Sequence, residues 1–271
     1  MRPIRILKDL DSNNTIYYGD FYNAIWLVWT KKPFYFTFHD NWPEMRKASI
    51  ADFFRSLFYV PVYKTIFKHA KGVVTVSSYK NNYISKYSKR VVLIYNGFNR
   101  EKVTGTAGIK KKQHILMVGN IEKRKYRLAC RLFRILGHDF SGRIHIYGNI
   151  LDKRLAKRLN AYPFVELKGF VPVIPYDDYQ CILHASFIEN LPIALCEAIY
   201  HRIPVIAFNV GGISEVVNST NGILVYPFDL MKMEKSLVAT LKNSIEFSFD
   251  ANQLEDLDWE VASTKYFKLI G

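Results

Sequence analysis

The chain has little that would carry it across or out of a membrane. No apolar run in its 271 residues reaches the about 18 to 20 needed to span a bilayer. It opens Met1-Arg2-Pro3-Ile4-Arg5, without the apolar stretch of a secretory signal. The expected location is the cytoplasm, extending to peripheral attachment on the cytoplasmic face of the plasma (inner) membrane. Cysteine is scarce: Cys130, Cys181 and Cys196 share no metal-ligand spacing, and their odd number argues against a disulfide framework. Internal repeats are absent, and low complexity is confined to Lys110-Lys111-Lys112. Two Asp-x-Asp matches, Asp9/Asp11 and Asp256/Asp258, lie away from the other candidate residues and are read as chance.

What is present is a core and an uneven charge. Hydrophobic residues make up 49% of the chain, enough to exclude disorder. The net charge of +14 is concentrated: residues 1–105 hold 17 Lys+Arg against 7 Asp+Glu, and residues 106–271 hold 21 against 17. Such asymmetry points the first part of the chain towards an anionic partner, whether nucleic acid, anionic membrane or phosphorylated substrate. The plainer alternative is a basic surface that serves solubility.

Short β-branched and aromatic runs alternate with helix-length segments throughout. Strands are expected at 15–18, 34–39, 73–77 and 91–95, with helices at 20–29 and 79–88. Gly, Thr, Ala and Lys at 104–112 have a linker's composition. A second series follows, with strands at 114–118, 143–147, 164–168, 181–184, 204–208 and 222–225. Helices between them fall near 124–137, 152–160, 176–180, 191–200 and 213–217, and a last amphipathic helix spans 258–270. This alternation predicts α/β architecture with parallel doubly wound sheets, which bind ligands beyond the carboxyl ends of their strands. The expected domains are 1–105, 106–250, and a C-terminal helical segment 251–271 packing back towards the first.

The most specific stretch is 186–225. Pro192 is suited to a first helical position, and the helix it starts would aim free amides and the positive end of its dipole at a diphosphate. Asn190, Leu191 and Ile193 flank that start. Glu197, about one and a half turns in, could accept hydrogen bonds from both vicinal hydroxyls of a ribose. Glu189, on the preceding loop, could meet sugar hydroxyls. Taken alone, the two glutamates are better read as a helix cap at Glu189 and a solvated face at Glu197. Downstream, Pro204-Val205-Ile206 belongs to a buried strand. Gly211-Gly212 forms a loop leading to Glu215, with glycines that permit close backbone approach.

Together these residues resemble the C-terminal domain of the retaining glycosyltransferases of family 4 (glycosyl transferases group 1). Members share a pattern of Glu, seven residues, Glu, a Pro-Val-Ile strand and a Gly-Gly loop. The resemblance extends over roughly 15–268. It implies the GT-B fold, two Rossmann-like domains facing across a cleft, and a hexosyltransferase-like reaction from a nucleoside-diphosphate-sugar with retention at the anomeric carbon. By the same resemblance Glu197 corresponds to the donor-ribose glutamate and Glu189 to the one beside the transferred sugar. Residues 118–125 match the segment that contacts the donor diphosphate, with Lys125 as its lysine and Arg124 as helper. This chain departs from the pattern at Asn120, where Arg is common, and at Tyr126, where Gly is usual. His39 matches a histidine facing the donor sugar. The stretches 76–78 and 95–97 match positions lining the interdomain cleft. No metal or other cofactor is required, because the nucleotide-sugar is a co-substrate.

The resemblance also leaves the N-terminal domain shortened, since only about 14 residues precede the segment at 15–20. That raises an alternative: a catalytically weak or inactive GT-B protein acting as a binding or partner module. An epimerase of the same architecture is a further reading. The expected acceptor is a glycan or lipid-linked glycan in cell-surface polysaccharide or lipopolysaccharide biosynthesis. In 46–71, bulky aromatics alternate with Lys and Arg, and Pro61 is expected to divide two helices. This stretch could rest on an anionic membrane surface or pack its aromatics against the sheet. No nucleic-acid motif is recognised, so nucleic acid is not an expected partner.

Overall fold

The computed structural model describes residues 17–98 and 113–270. The linker at 104–112, Lys110-Lys111-Lys112 and Asp9/Asp11 lie outside them. The described residues form two compact units, 17–97 with 260–270, and 98–259. The domain boundaries therefore differ from those drawn on the sequence: residues 251–259 belong with the second unit, and only the chain from Glu260 onward joins the first.

The first unit is a parallel sheet in the order β1-β2-β3-β4, formed by Tyr17–Gly19, Phe34–Phe38, Gly72–Thr75 and Val91–Leu93. Helix α1 (Ile25–Trp29) connects β1 to β2, α2 (Ile50–His69) connects β2 to β3, and the short α3 (Asn81–Ile84) connects β3 to β4. Alternation sorts the strand residues between two layers. Phe36, Phe38 and Val73 belong to the cluster with Tyr63 and Phe67 of α2. Val74 joins Ile94 and the last helix, α8 (Trp259–Ile270), through Ala262 and Leu269. Thr37 bonds to Tyr18 and lies 3.1 Å from the Tyr266 hydroxyl on α8. Lys80 is buried, its ammonium donating to Trp42 O at 3.0 Å and to Glu44.

Two helical expectations are corrected here. Pro61 does not divide 46–71: α2 runs unbroken through it. Pro61 and Leu57, whose carbonyl loses its helical amide partner, both lie on the exposed side. Water can reach that carbonyl, while Tyr63, Ile66 and Phe67 anchor the opposite face. The helix at 79–88 is only a 3-10 turn at Ser78–Lys80 followed by α3. The Ser85 and Ser88 amides still bond to Asn81 O and Ile84 O, and the Ser88 hydroxyl turns to Arg90 O as the chain leaves for β4.

The second unit is a six-stranded parallel sheet in the order β10-β9-β8-β5-β6-β7. Its strands are β5 (His114–Val118), β6 (Arg143–Tyr147), β7 (Val165–Gly169), β8 (Cys181–His184), β9 (Val205–Phe208) and β10 (Gly222–Val225). Helices α4 (Lys123–Leu136), α5 (Lys153–Leu159), α6 (Ile193–Tyr200) and α7 (Leu230–Leu241) make connections between strands or follow the last one. Helix α4 buries Leu128, Ala129, Leu132 and Phe133 and ends at Gly137 with φ +75, the left-handed stop that glycine allows. Asp152 and Asp229 cap α5 and α7 by accepting from Leu155 N and Lys232 N. All three cysteines are buried and unbridged, and burial pushes the Cys181 and Cys196 thiols up to about 12.

Candidate active site

Strand order decides where this second sheet can bind anything. From β5 the order runs one way to β6 and β7, and from β8 the other way to β9 and β10. The loops leaving the carboxyl ends of β5 and β8 therefore diverge, the condition for a ligand crevice in an open parallel sheet. The β5 loop carries Asn120 and leads into α4 with Arg124 and Lys125; the β8 loop carries Glu189 to Pro192 and leads into α6. Side chains of Lys125, Tyr126 and His184 line a small cavity between them.

The β5 loop is shaped by close packing on glycine. Gly119 has φ +138, and a Cβ there would come within 2.7 Å of Lys125 Nζ, so its bareness lets Lys125 fold back over the strand end. Tyr126 is buried and donates its hydroxyl to Gly119 O at 3.0 Å. The bulky residue at a position that usually holds glycine thus pins the turn. Asn120 Oδ1 accepts from the Asn149 backbone amide at 3.2 Å, tying this loop to the one after β6.

Arg124 reaches across the switch. It donates to Ile188 O at 3.0 Å and to Glu122 Oε1 at 2.6 Å, and Nη1 lies 3.2 Å from Glu189 Oε1. Its guanidinium is thus engaged by protein groups on both loops. Glu189 is only 7% exposed and does not cap α6, whose start has no side-chain cap. His184 Nε2 lies 3.2 Å from the same Oε1, close enough to pair but not aligned as a hydrogen bond. Burial alone would raise the Glu189 pKa. His184, Lys125 and Arg124 outweigh it and hold this carboxyl well below the usual range.

Glu197 is held differently. Tyr176, from the 3-10 turn Tyr176–Asp178, donates to Glu197 Oε2 at 2.5 Å. The Tyr176 ring stacks on His201 at 5.0 Å, and His201 Nδ1 lies 2.8 Å from Asp177 Oδ1. Burial raises the Glu197 pKa, opposed by the Tyr176 bond and by His201. One carboxylate oxygen is therefore taken by the protein, and Oε1 is the one left for a ligand.

On the sequence, Gly211 and Gly212 are glycines that let a ligand approach. The structure shows them admitting the β8 loop instead. Gly211 has φ +62, and a Cβ on it would sit 2.0 Å from Glu189 O; the Gly212 amide donates to Asn190 O at 2.7 Å. That amide is spoken for and cannot serve a diphosphate in this arrangement. Pro192 is the N-cap of α6 rather than its first residue, and Leu195 N returns to Pro192 O at 3.1 Å. Ile193 and Ala194 are the remaining first-turn amides.

His39 belongs to the first unit, directly after β2. Burial lowers its pKa, with Asp20 and Asp40 opposing, which favours the neutral ring. Among the described residues no group of three or more His, Cys, Asp or Glu side chains is placed to hold a metal. His184 and Tyr176 are the residues that sequence reasoning missed. His184 had a signal, a polar residue ending an apolar strand at its carboxyl edge. Tyr176 had none, being 21 residues from its partner.

A family model described as glycosyl transferases group 1 matches residues 112–243, and one described as glycosyltransferase family 4 matches residues 9–102. No curated protein matches the sequence. Among solved structures, S. aureus TarM, in a complex that includes UDP, is 17% identical with a TM-score of 0.78 over 99% of this chain and 58% of that one. Sucrose-phosphate synthase from Thermosynechococcus elongatus is 18% identical, with a TM-score of 0.80 over 94% of this chain and 72% of its own. HepE of Anabaena, in complex with UDP and glucose, is 16% identical, with a TM-score of 0.80 over 99% and 79%. The chain thus spans little more than half the length of TarM. At these identities the likeness establishes the fold, two parallel-sheet α/β units of the GT-B type.

Proposed function

Because this chain belongs to the group 1 glycosyltransferases of family 4, we propose that it moves a sugar from a nucleoside diphosphate to an acceptor hydroxyl with retention of configuration. The observation that carries this reading is the pair Glu189 and Glu197, presented with Lys125 where the strand order of the second sheet reverses. Glu197 Oε1 accepts from the donor ribose. Lys125 and the Ile193 and Ala194 amides stabilise the charge that grows on the departing diphosphate. Glu189 stays ionised and accepts from hydroxyls of the transferred sugar. The departing diphosphate oxygen takes the acceptor's proton on the face of attack, so no side chain is assigned as general base.

UDP-sugars are the first donors to test, since TarM and HepE were solved with UDP. The acceptor is proposed to be a glycan, free or lipid-linked, in cell-surface polysaccharide or lipopolysaccharide assembly. One solved relative, 15% identical, is a lipopolysaccharide outer core galactosyltransferase. Presentation at an anionic bilayer is supported by Ile50, Phe54 and Leu57, which stay exposed along α2 beside exposed Arg46, Lys47 and Arg55. Transfer and hydrolysis assays over UDP-, GDP- and dTDP-sugars, with the anomeric configuration of product read by NMR, test the proposal. If no donor binds and Glu197→Ala changes nothing, the chain is a binding module on a glycosyltransferase fold.

A further inference from the structure

The second half of α2 and the segment between α3 and β4 enclose an open cavity of about 550 Å³. Its walls include Lys64, Lys68, His69, Lys86, Tyr87 and Lys89. The end of α2 leads into β3, and residues 86–89 lead into β4. The cavity therefore lies towards the amino ends of these strands, opposite the edge where His39 follows β2.

Its chemistry is one-sided. Four lysines line the concavity, no carboxylate does, and none of the four has an ion-pair partner among the described residues. Lys64 Nζ sits 5.0 Å from the centre of the Tyr87 ring, which orients it without neutralising it. His69 Nδ1 lies 2.8 Å from Thr65 O, and a carbonyl only accepts, so Nδ1 carries the proton and Nε2 is left for a ligand. Like charges gathered on a concave wall repel one another and focus a positive potential into it. A single carboxylate would answer that potential incompletely. A phosphate or diphosphate brings more charge and several acceptor oxygens, one for each of several ammonium donors.

We propose that this cavity binds a phosphate-bearing ligand, a mono- or diphosphate group, at a site distinct from the donor crevice of the second unit. The group can be borne by a soluble molecule or by a lipid headgroup. The second source has a structural basis: Ile50, Phe54 and Leu57 recur at helical spacing on the same outward side of α2 as Lys64 and Lys68. One bilayer surface could meet both.

Isothermal titration of the full chain with inorganic pyrophosphate tests the site, using wild type, the double variant Lys68→Glu/Lys89→Glu, and Lys125→Ala. The double variant should weaken one pyrophosphate site by at least about tenfold while UDP binding is unchanged, which also shows that it is folded. Lys125→Ala should leave that site intact. The proposal is overturned if pyrophosphate binds the double variant as it binds wild type, or if all binding is lost with Lys125→Ala. Flotation with phosphatidylcholine vesicles, with and without phosphatidic acid, separates the sources. Retention that needs phosphatidic acid and is lost in the double variant assigns the group to a lipid. Pyrophosphate binding without retention assigns it to a soluble ligand.

Discussion

Arg124 Nη1 lies 3.2 Å from Glu189 Oε1, and this pair joins the two loops that diverge between β5 and β8. Both side chains are largely shielded from water. The guanidinium also grips Ile188 O and Glu122, so one arginine fixes the loop on which the candidate catalytic carboxylate sits. Its guanidinium is thus committed to holding Glu189 in place.

Removing one partner should therefore cost more than removing both. Arg124→Ala leaves the buried carboxylate with less compensation and should destabilise the protein by about 3–5 kcal/mol. Adding Glu189→Gln should recover a large part of that loss, giving a coupling energy above about 1 kcal/mol in a double-mutant cycle. Urea midpoints measure it, and simple additivity would show that the contact carries no coupling.

The same carboxylate sets a pH dependence. Its folded pKa lies below the ordinary 4.5, so its stabilisation is complete above that value and is lost as the pH falls towards the folded pKa. The stability gap between wild type and Glu189→Gln should be widest near neutrality and should narrow on acidification below 4.5. Urea unfolding at a series of pH values from neutral downward reads this. A gap that widens in acid would contradict the assignment.

Tyr176→Phe removes the hydroxyl that orients Glu197 and helps keep it ionised. A hydrogen bond to a charged group contributes about 1.5–3 kcal/mol, so donor KM should rise about tenfold or more with kcat nearly unchanged. Without that bond the already raised Glu197 pKa moves higher, and donor binding should fail at a higher pH than in wild type. Equal losses in kcat and kcat/KM would instead place Tyr176 in the chemical step.

Two alanine substitutions separate backbone strain from a clash. Gly169 has φ +73 with nothing within 4 Å of where a Cβ would stand, so Gly169→Ala should cost only the backbone penalty, about 1–2 kcal/mol. Gly211 has a similar φ, but a Cβ there would meet Glu189 O at 2.0 Å, so Gly211→Ala must also displace the Glu189 loop. It should show the larger fall in Tm together with weakened donor binding, whereas Gly169→Ala should bind donor normally.

On α2, Phe54→Ser with Leu57→Ser changes exposed side chains only. Stability should move by no more than about 0.5 kcal/mol per site, while retention on anionic vesicles falls. Unchanged retention would remove this face from the proposed membrane contact.

Much of the fold is legible in the sequence because it rests on local geometry. The alternation of apolar runs with helical segments follows from the two side-chain periodicities, and it suffices for parallel α/β units. The eight-residue interval between Glu189 and Glu197 and the glycines at 211 and 212 are equally local, and they carry the resemblance. Where a residue's fate depends on what covers it, the local reading fails. Pro61 stays within α2 because Leu57, whose carbonyl it deprives of an amide partner, lies on the exposed side of the helix. Gly211 and Gly212 face protein because the β8 loop lies against the first and accepts from the amide of the second.

The sequence by itself determined the repeating α/β units, the carboxylate pair and the excess of positive charge in the first part of the chain. Only the tertiary structure decided that the strand order reverses between β5 and β8, and with it which loops meet. The clasp of Arg124 on Glu189, the bond from Tyr176 to Glu197 and the gathering of Lys64, Lys68, Lys86 and Lys89 around one cavity all join segments distant in the chain. Backbone propensity acts over a few residues, whereas these contacts are set by the order in which strands assemble.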